Sequence, residues 1–260
     1  MTERGWQPWR AGDRQGLPGL DRVVGHRGAA LHAPENTLPS IRKARELGCR
    51  WVELDVKLSR DGVPILMHDE RVDRTTDGHG EVRDMTFAEL RRLDAGSWKG
   101  ACYAGTPIAT LAEALALLAE LDMQVNLEIK PCPGREVETA IVACETVRRL
   151  WPAERPAPLL SSFEIPCLEV AQAKAPELPR GYLVERIPPD WRATMQRLEC
   201  AALHAGHRYN SDWAMQAVAA EGVPLLCYTV NDAARARTLF DLGIASLFSD
   251  APDRTWPAAQ

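Results

Sequence analysis

The sequence predicts an α/β protein, a TIM (β/α)8 barrel with a small insertion after its second strand. Two observations carry this prediction. Segments of strand and helix character alternate along residues 22–252, which is typical of parallel βαβ units. One of nine strand-like segments, moreover, cannot be a parallel member of the sheet. With 260 residues, of which 45% are hydrophobic, the chain is large enough for one barrel.

The exceptional segment belongs to a hairpin over residues 51–69, WVELDVKLSRDGVPILMHD. Its first half alternates strictly between apolar and polar residues, which is the period of a β-strand. Asp61-Gly62 then signals a tight two-residue turn, which joins antiparallel strands and cannot form a parallel crossover. We therefore expect residues 63–67 to fold back antiparallel, leaving eight strands for the barrel.

The other elements follow from periodicity and from helix-capping signals. Polar residues at 34–37 are suited to cap the first helix, and Thr86 with Glu89 forms a capping-box signature. The expected strands lie at 22–28, 51–58, 124–130, 158–163, 181–184, 201–204, 224–231 and 245–250. The expected helices lie at 38–47, 86–93, 111–121, 136–150, 165–173, 189–198, 211–221 and 232–242.

The predicted domain organisation is simple. Residues 1–21 hold glycine, proline and tryptophan without periodicity and are expected to form an irregular lead-in. Residues 22–252 form the single catalytic barrel, with residues 70–110 as the insertion, and residues 253–260 form a tail. GHRGAA at 25–30 lacks the spacing of a GxGxxG motif, which argues against a dinucleotide-binding sheet.

Composition limits the partners. A net charge of −5 gives no general attraction to nucleic acid or to an anionic membrane, so any phosphate recognition must be local. The N-terminus lacks the apolar core of a signal peptide, and no apolar run of 18 residues occurs. The 7 cysteines are scattered and contain no CxxC pair. We expect a cytoplasmic protein with a small-molecule substrate, without nucleic acid or stable membrane insertion.

Three acids are the candidate metal ligands. Glu53 and Asp55 alternate on one strand and lie about 7 Å apart along it, and Glu128 lies on the next barrel strand. Carboxylates this close repel one another unless a cation or a proton lies between them. Because oxygen ligands without cysteine or clustered histidine suit hard cations, Mg²⁺ or Ca²⁺ is expected rather than zinc.

Four further residues are expected beside these acids. His26 and His68 each end a strand, and two histidines near a cluster of acids are suited to be an acid/base pair, since imidazole titrates near neutral pH. Arg27 and Lys130 are suited to bind a phosphate anion through charge-assisted hydrogen bonds. Barrel active sites lie at the C-terminal ends of the strands, where all seven residues are predicted to meet.

Short motifs extend this interpretation from Val23 to Pro252. They are HRG at 26–28, PENT at 34–37, ELDVKLSRDGVPILMHD at 53–69, DRTTDGHG at 73–80, TFAELRRLDAG at 86–96, LEIKP at 127–131, YTVN at 228–231 and FSDAP at 248–252. In this order and combination they resemble the glycerophosphodiester phosphodiesterase family of the bacterial cytoplasmic type. The resemblance implies a TIM barrel with an insertion between its second and third strands, and it implies the same roles for the seven residues.

The predicted activity is metal-dependent hydrolysis of a glycerophosphodiester to sn-glycerol 3-phosphate and an alcohol, with His26 and His68 as acid and base. The nucleophile is either water or the 2-hydroxyl of the glycerol. One alternative is a phospholipase D- or C-like barrel that acts on a lysophospholipid and has a larger apolar mouth. The other is a non-catalytic barrel that binds a phosphodiester, which should have lost a histidine or an acid.

Overall fold

The computed structural model describes residue 17 and residues 19–256, so most of the predicted lead-in and the end of the predicted tail lie outside the described residues. The strands are β1 Val23–Gly25, β2 Trp51–Leu58, β3 Pro64–Leu66, β4 Gln124–Ile129, β5 Leu159–Ser162, β6 Arg180–Val184, β7 Ala202–Gly206, β8 Leu225–Tyr228 and β9 Ser246–Ser249. The helices are α1 Leu38–Glu46, α2 Phe87–Leu90, α3 Leu111–Glu120, α4 Glu136–Leu150, α5 Ile165–Lys174, α6 Trp191–Arg197, α7 Asp212–Ala220, α8 Ala233–Asp241 and α9 Pro252–Thr255.

The predicted barrel is confirmed. The strands follow the order β1-β9-β8-β7-β6-β5-β4-β2-β3, and a parallel pairing of β1 with β2 closes the ring. Strand β3 pairs antiparallel with the end of β2, with Val56 opposite Leu66, as the hairpin signal predicted. The remaining eight strands form the closed parallel barrel, and helices connect its strands.

The hairpin connection is longer than the predicted two residues. Five residues, 59–63, separate β2 from β3, and because Ser59 and Val63 are hydrogen-bonded to each other, residues 60–62 form the loop. The Gly62 amide donates to the Ser59 carbonyl at 3.0 Å, and the Ser59 amide donates to the Val63 carbonyl at 3.1 Å. Gly62 has φ 81, a left-handed conformation that costs a glycine little. A turn followed by a left-handed glycine is a common three-residue hairpin connection, so the same dipeptide also fits a longer loop.

Strand β2 is buried along both faces, one in the apolar core and the other beside the site. Its eight residues are all buried. Val52, Leu54 and Val56 pack in the core under the helices. Glu53 and Asp55 lie on the opposite face, and the parallel register places Asp55 directly opposite Glu128 on β4. The alternating pattern therefore separates a helix-facing core from a polar lining, not a core from solvent.

The bottom of the barrel is filled by apolar side chains. Trp51 is 1% exposed and donates from its indole Nε1 to the Gly19 carbonyl at 2.7 Å. Around it packs a cluster that includes Val24, Leu159, Leu226 and Phe248. Among the described residues this end of the barrel is filled, and the main cavity lies toward the C-terminal ends of the strands, where barrel active sites lie.

The loop between β1 and α1 is fixed by its own backbone. Arg27 and Gly28 both have positive φ, 50 and 85. A Cβ on Gly28 would lie 2.4 Å from Ser40 Oγ, so helix α1 packs directly against this glycine. Thr37 is the N-cap of α1 and forms a capping box with Ser40. The loop thus holds His26, Arg27 and the residues before α1 in a defined arrangement.

Residues 70–110 follow β3 and contain little regular structure. They include two 3₁₀ turns, Val82–Asp84 and Ala101–Tyr103, and the four-residue helix α2. Thr86 and Glu89 form the predicted capping box, but the helix ends at Leu90, short of the predicted residue 93. Four residues after Leu90, Asp94 forms an antiparallel bridge with Pro107. Apolar side chains from this stretch pack against those of β3.

Three further observations complete the fold. Residues 252–255, at the end of the predicted barrel and the start of the predicted tail, form the short helix α9; Pro252 suits the first turn of a helix because that position needs no amide donor. All seven cysteines are free thiols, six of them buried. No helix within residues 19–256 is both long enough and apolar enough to cross a bilayer.

Candidate active site

A cavity of about 580 Å³ opens at the C-terminal ends of the barrel strands. Six of the seven residues predicted from the sequence line it, namely His26, Arg27, Glu53, His68, Glu128 and Lys130. The seventh, Asp55, is fully buried beside them and belongs to the same group of acids. The structure therefore brings all seven predicted residues together.

Glu53, Asp55 and Glu128 form a compact carboxylate cluster. One oxygen from each lies within 4.8 Å of the others, a separation at which three oxygens can share one cation. All three residues are buried, with exposures of 4%, 1% and 8%. Strand β2 contributes two of the acids and its register with β4 supplies the third. This is the oxygen-only donor set that suits a hard divalent cation.

The pKa values of the three acids reflect how unfavourable three adjacent buried negative charges are. Burial, together with the charge of Asp55, raises the pKa of Glu53 well above its ordinary value and raises that of Glu128 to about 7. Burial acts on Asp55 in the same direction, but the nearby positive groups lower its pKa to about 2. Glu53 Oε1 is buried and lacks a hydrogen-bond partner among the described residues. A cation at this point would relieve the repulsion and satisfy that oxygen.

Asn36, just before α1, holds the central acid. Its side-chain nitrogen donates to Asp55 Oδ2 at 2.7 Å, and its carbonyl oxygen accepts from the Asp55 amide at 3.0 Å. These two bonds fix the orientation of the Asp55 carboxylate. One of its oxygens is therefore held by the asparagine, while the other remains on the side of Lys130, whose Nζ lies 4.0 Å from Oδ1.

His26 is oriented by a carboxylate from the other end of the chain. Its Nδ1 lies 2.6 Å from Asp250 Oδ1, and Asn231 donates to the other oxygen of Asp250 at 2.8 Å. The hydrogen bond from His26 lowers the pKa of Asp250 although burial acts to raise it. An ionised Asp250 holds a proton on Nδ1, which leaves Nε2 of His26 directed at the site, 3.9 Å from Glu53.

His68 has an equivalent carboxylate partner. Its Nδ1 lies 2.6 Å from Oδ1 of the adjacent Asp69. Burial lowers the pKa of His68, whereas the charge of Asp55 and the hydrogen bond to Asp69 act to raise it. Hydrogen bonds from Arg74 and His68 keep the pKa of Asp69 well below its ordinary value although burial acts to raise it. Both histidines therefore present Nε2 to the cavity, each with its Nδ1 held by an ionised aspartate.

The two predicted phosphate ligands are tied to acids in this structure. Arg27 donates to Glu35 at 2.7 Å and lies 3.3 Å from Asp55, and its backbone amide donates to Glu53 at 3.0 Å. Lys130 donates to Glu128 at 2.6 Å. Both cations therefore border the carboxylate cluster, where an incoming phosphate would find positive charge on two sides.

A second cavity, of about 660 Å³, adjoins the first. Lys130, Phe163 and Glu185 line both cavities. His68 also lines both, whereas His26 lines only the one inside the barrel mouth. A molecule with two arms joined at a central group could thus place one arm in each cavity, with His68 beside the second arm.

Several residues of the site were not assigned a role from the sequence. Asn231 and Asp250 end the expected strands 224–231 and 245–250 and lie in the motifs YTVN and FSDAP, and Asn36 and Glu35 lie in the motif PENT. His204, which ends the expected strand 201–204, is fully buried inside the barrel and lines the main cavity, and burial lowers its pKa to about 3. Its ring is therefore neutral at physiological pH.

Comparison with known proteins shows the family of the chain. The family described as Glycerophosphoryl diester phosphodiesterase family matches residues 26–254. A glycerophosphodiester phosphodiesterase of Caldanaerobacter subterraneus subsp. tengcongensis is 33% identical over 236 residues, which cover 89% of this chain and 94% of that protein. One of Bacillus subtilis is 31% identical over 264 residues, which cover 95% of this chain and 89% of that protein.

Among solved structures, an Oleispira antarctica phosphodiesterase in complex with the product sn-glycerol-3-phosphate has the same fold. It aligns with a TM-score of 0.89 and 41% sequence identity, covering 92% of this chain and 96% of that one. The family match at residues 26–254 begins directly after β1 and includes strands β2 to β9. The chain therefore belongs to the glycerophosphoryl diester phosphodiesterase family of hydrolases.

Proposed function

We propose that the protein hydrolyses glycerophosphodiesters to sn-glycerol 3-phosphate and an alcohol, with a divalent metal and two histidines. The observation that carries this proposal is the buried carboxylate cluster, bordered by two carboxylate-held imidazoles and two cations. The Oleispira antarctica enzyme, which is similar over nearly the whole chain, was solved with sn-glycerol-3-phosphate. Residues 22–252 would form one catalytic unit with residues 70–110 as its insertion. We expect the protein to be cytoplasmic.

Glu53, Asp55 and Glu128 would hold the metal, which we expect to be Mg²⁺ or Ca²⁺. Bound there, such an ion neutralises phosphate charge and polarises a P–O bond. The site fits it because one oxygen from each acid converges and because Glu53 Oε1 is buried without a hydrogen-bond partner among the described residues. Burial and the neighbouring acids also raise the pKa values of Glu53 and Glu128, which a cation would oppose. Arg27 and Lys130 would then turn from these acids toward the phosphate oxygens.

The two histidines differ in which cavity they face, and this difference suggests their roles. The glycerol arm would lie in the main cavity, whose lining includes the polar side chains of Asn126 and Asn231. The alcohol arm would extend into the second cavity, beside His68. His26 would accept the proton of the attacking hydroxyl on its free Nε2. His68, protonated on both ring nitrogens, would donate its Nε2 proton to the departing alkoxide and keep the Nδ1 proton toward Asp69.

The direct test is to incubate the purified protein with glycerophosphocholine and measure free sn-glycerol 3-phosphate and choline. We expect release of both products with Mg²⁺ or Ca²⁺ present, and loss of the activity on addition of EDTA followed by recovery when the metal is restored. A lysophosphatidylcholine of matched headgroup serves as the comparison. Faster cleavage of the lysolipid would favour the phospholipase-like alternative, and no cleavage of either would refute the proposed reaction.

Glu128→Gln should weaken metal binding by about tenfold or more, because the change keeps the side-chain shape but removes one ligand charge. Titration calorimetry with Mg²⁺ and with Ca²⁺ measures this without any substrate. Glu145→Gln, an exposed acid on α4, is the matched control and should bind metal like the parent protein. Equal metal affinity of the Glu128→Gln and parent proteins would remove Glu128 from the ligand set.

A further inference from the structure

Arg74 lies outside the barrel, in the stretch that follows β3, and spans two carboxylates with its guanidinium. Its Nε and Nη2 donate to the two oxygens of Asp69 at 2.6 and 3.1 Å. Its Nη1 and Nη2 donate to the two oxygens of Glu35 at 2.8 and 2.7 Å. Both pairs are bidentate, which fixes the plane of each carboxylate as well as its position.

Each of these carboxylates also holds a residue of the proposed site. Asp69 lies 2.6 Å from Nδ1 of His68. Glu35 accepts from Arg27 at 2.7 Å, and Arg27 in turn lies 3.3 Å from Asp55. The result is a continuous chain of charged contacts from His68 through Asp69, Arg74, Glu35 and Arg27 to the carboxylate cluster.

The two ends of this series of charged contacts come from separate parts of the fold. His68 and Asp69 follow β3, whereas Arg27 and Glu35 belong to the loop between β1 and α1. Asp69 precedes a stretch with little regular structure, so its backbone alone does not settle where its carboxylate points. Arg74 connects this aspartate to Glu35 in the loop between β1 and α1.

We propose that Arg74 is a positioning residue, which orients the His68 imidazole through Asp69 by anchoring that carboxylate to Glu35. This inference rests on the proposed function, in which His68 transfers a proton. Arg74 does not line the main cavity or the adjoining second one, so its effect on the reaction passes through the residues it holds. Isolated surface ion pairs contribute little to stability. A planar guanidinium that binds two carboxylates bidentately nevertheless fixes the orientation of both, which a single exposed ion pair does not.

Arg74→Ala should lower kcat on glycerophosphocholine by about 10- to 100-fold, the usual cost of losing the partner that orients a functional histidine. KM should change by less than about threefold, because Arg27 keeps its bond to Glu35. Arg74→Lys restores one positive charge without the planar fork and should recover only part of kcat. Arg60→Ala removes another exposed arginine beside the same hairpin and should leave kcat unchanged.

A double-mutant cycle with His68→Ala separates orientation from a general loss of structure. If Arg74 acts through His68, adding Arg74→Ala to His68→Ala should cost less than about twofold further. A purely structural contribution would lower the His68→Ala protein by the same factor as the parent. An equal loss in both backgrounds, or an unchanged kcat for Arg74→Ala, overturns the proposal.

Imidazole ¹⁵N NMR provides a readout that needs no turnover. With the His68 signals assigned by their absence from the His68→Ala spectrum, the parent protein should keep its proton on Nδ1, toward Asp69. In the neutral ring, Arg74→Ala should give a mixture of the Nδ1-protonated and Nε2-protonated tautomers. A fixed Nδ1 proton without Arg74 overturns the inference even if no glycerophosphodiester is cleaved, whereas absence of cleavage by the parent protein alone refutes only the proposed function.

Discussion

Alanine in place of His68 should lower kcat on glycerophosphocholine by about 10²–10⁴-fold, the range that a positioned acid or base usually supplies. His26→Ala should cost a similar factor, since both imidazoles present Nε2 to the carboxylate cluster from a fixed Nδ1 contact at 2.6 Å. Neither side chain belongs to an apolar core cluster, so both variants should remain folded. Steady-state kinetics with thermal unfolding of each variant measure the effect.

The leaving group distinguishes the two histidines. A p-nitrophenyl ester of glycerol phosphate departs without needing a proton, so His68→Ala should lose much less activity on it than on glycerophosphocholine. His26→Ala should lose activity on both substrates, because the nucleophile still needs a base. His79→Ala is the control, since that histidine is exposed and lies 3.4 Å from Asp73, its one hydrogen-bond partner among the described residues. The opposite pattern would exchange the two roles, and full activity of His68→Ala would remove it from the reaction.

The barrel could be predicted because its signals are local. Alternation along residues 51–58 defines a strand, and the Asp61-Gly62 turn excludes a parallel connection after it. Helix ends were also predictable where a capping box marks them, as at Thr86. The length of the hairpin turn was not, because Asp-Gly fits both a two-residue and a three-residue connection. Helix α2 also ends earlier than predicted, and the bridge between Asp94 and Pro107 that follows it is a tertiary contact that the helical pattern does not contain.

The site was predicted as far as residue type and strand position allow. Acids on neighbouring barrel strands had to meet at one end of the barrel, and the register of β2 with β4 brings Asp55 opposite Glu128. The partner of His26 could not be found in this way. His26 and Asp250 are 224 residues apart, and only closure of the barrel between β1 and β9 makes them neighbours. Arg74 lies in a stretch without periodicity, so its two carboxylate partners depend entirely on how that stretch folds.

The largest expected effect distinguishes the two candidate nucleophiles, water and the glycerol 2-hydroxyl. If the glycerol 2-hydroxyl attacks, nucleophile and phosphorus belong to one molecule, and well-oriented internal reactions have effective molarities of about 10⁵–10⁸ M. The main cavity favours a polar arm in this position. Asn126 Oδ1 and both ring nitrogens of His204 are buried without a partner among the described residues, and both side chains line the cavity.

We therefore expect glycerophosphocholine to be cleaved rapidly and its 2-deoxyglycerol analogue hardly at all. A diacyl phosphatidylcholine, whose 2-oxygen is esterified, should also react poorly, since its chains must enter a cavity of about 580 Å³ lined by charged groups. The three substrates are compared at equal concentration with saturating Mg²⁺ or Ca²⁺, following choline release. Trapping a cyclic glycerol phosphate during turnover would support internal attack directly. Equal rates for glycerophosphocholine and the 2-deoxy analogue would instead make water the nucleophile, with His26 as its base.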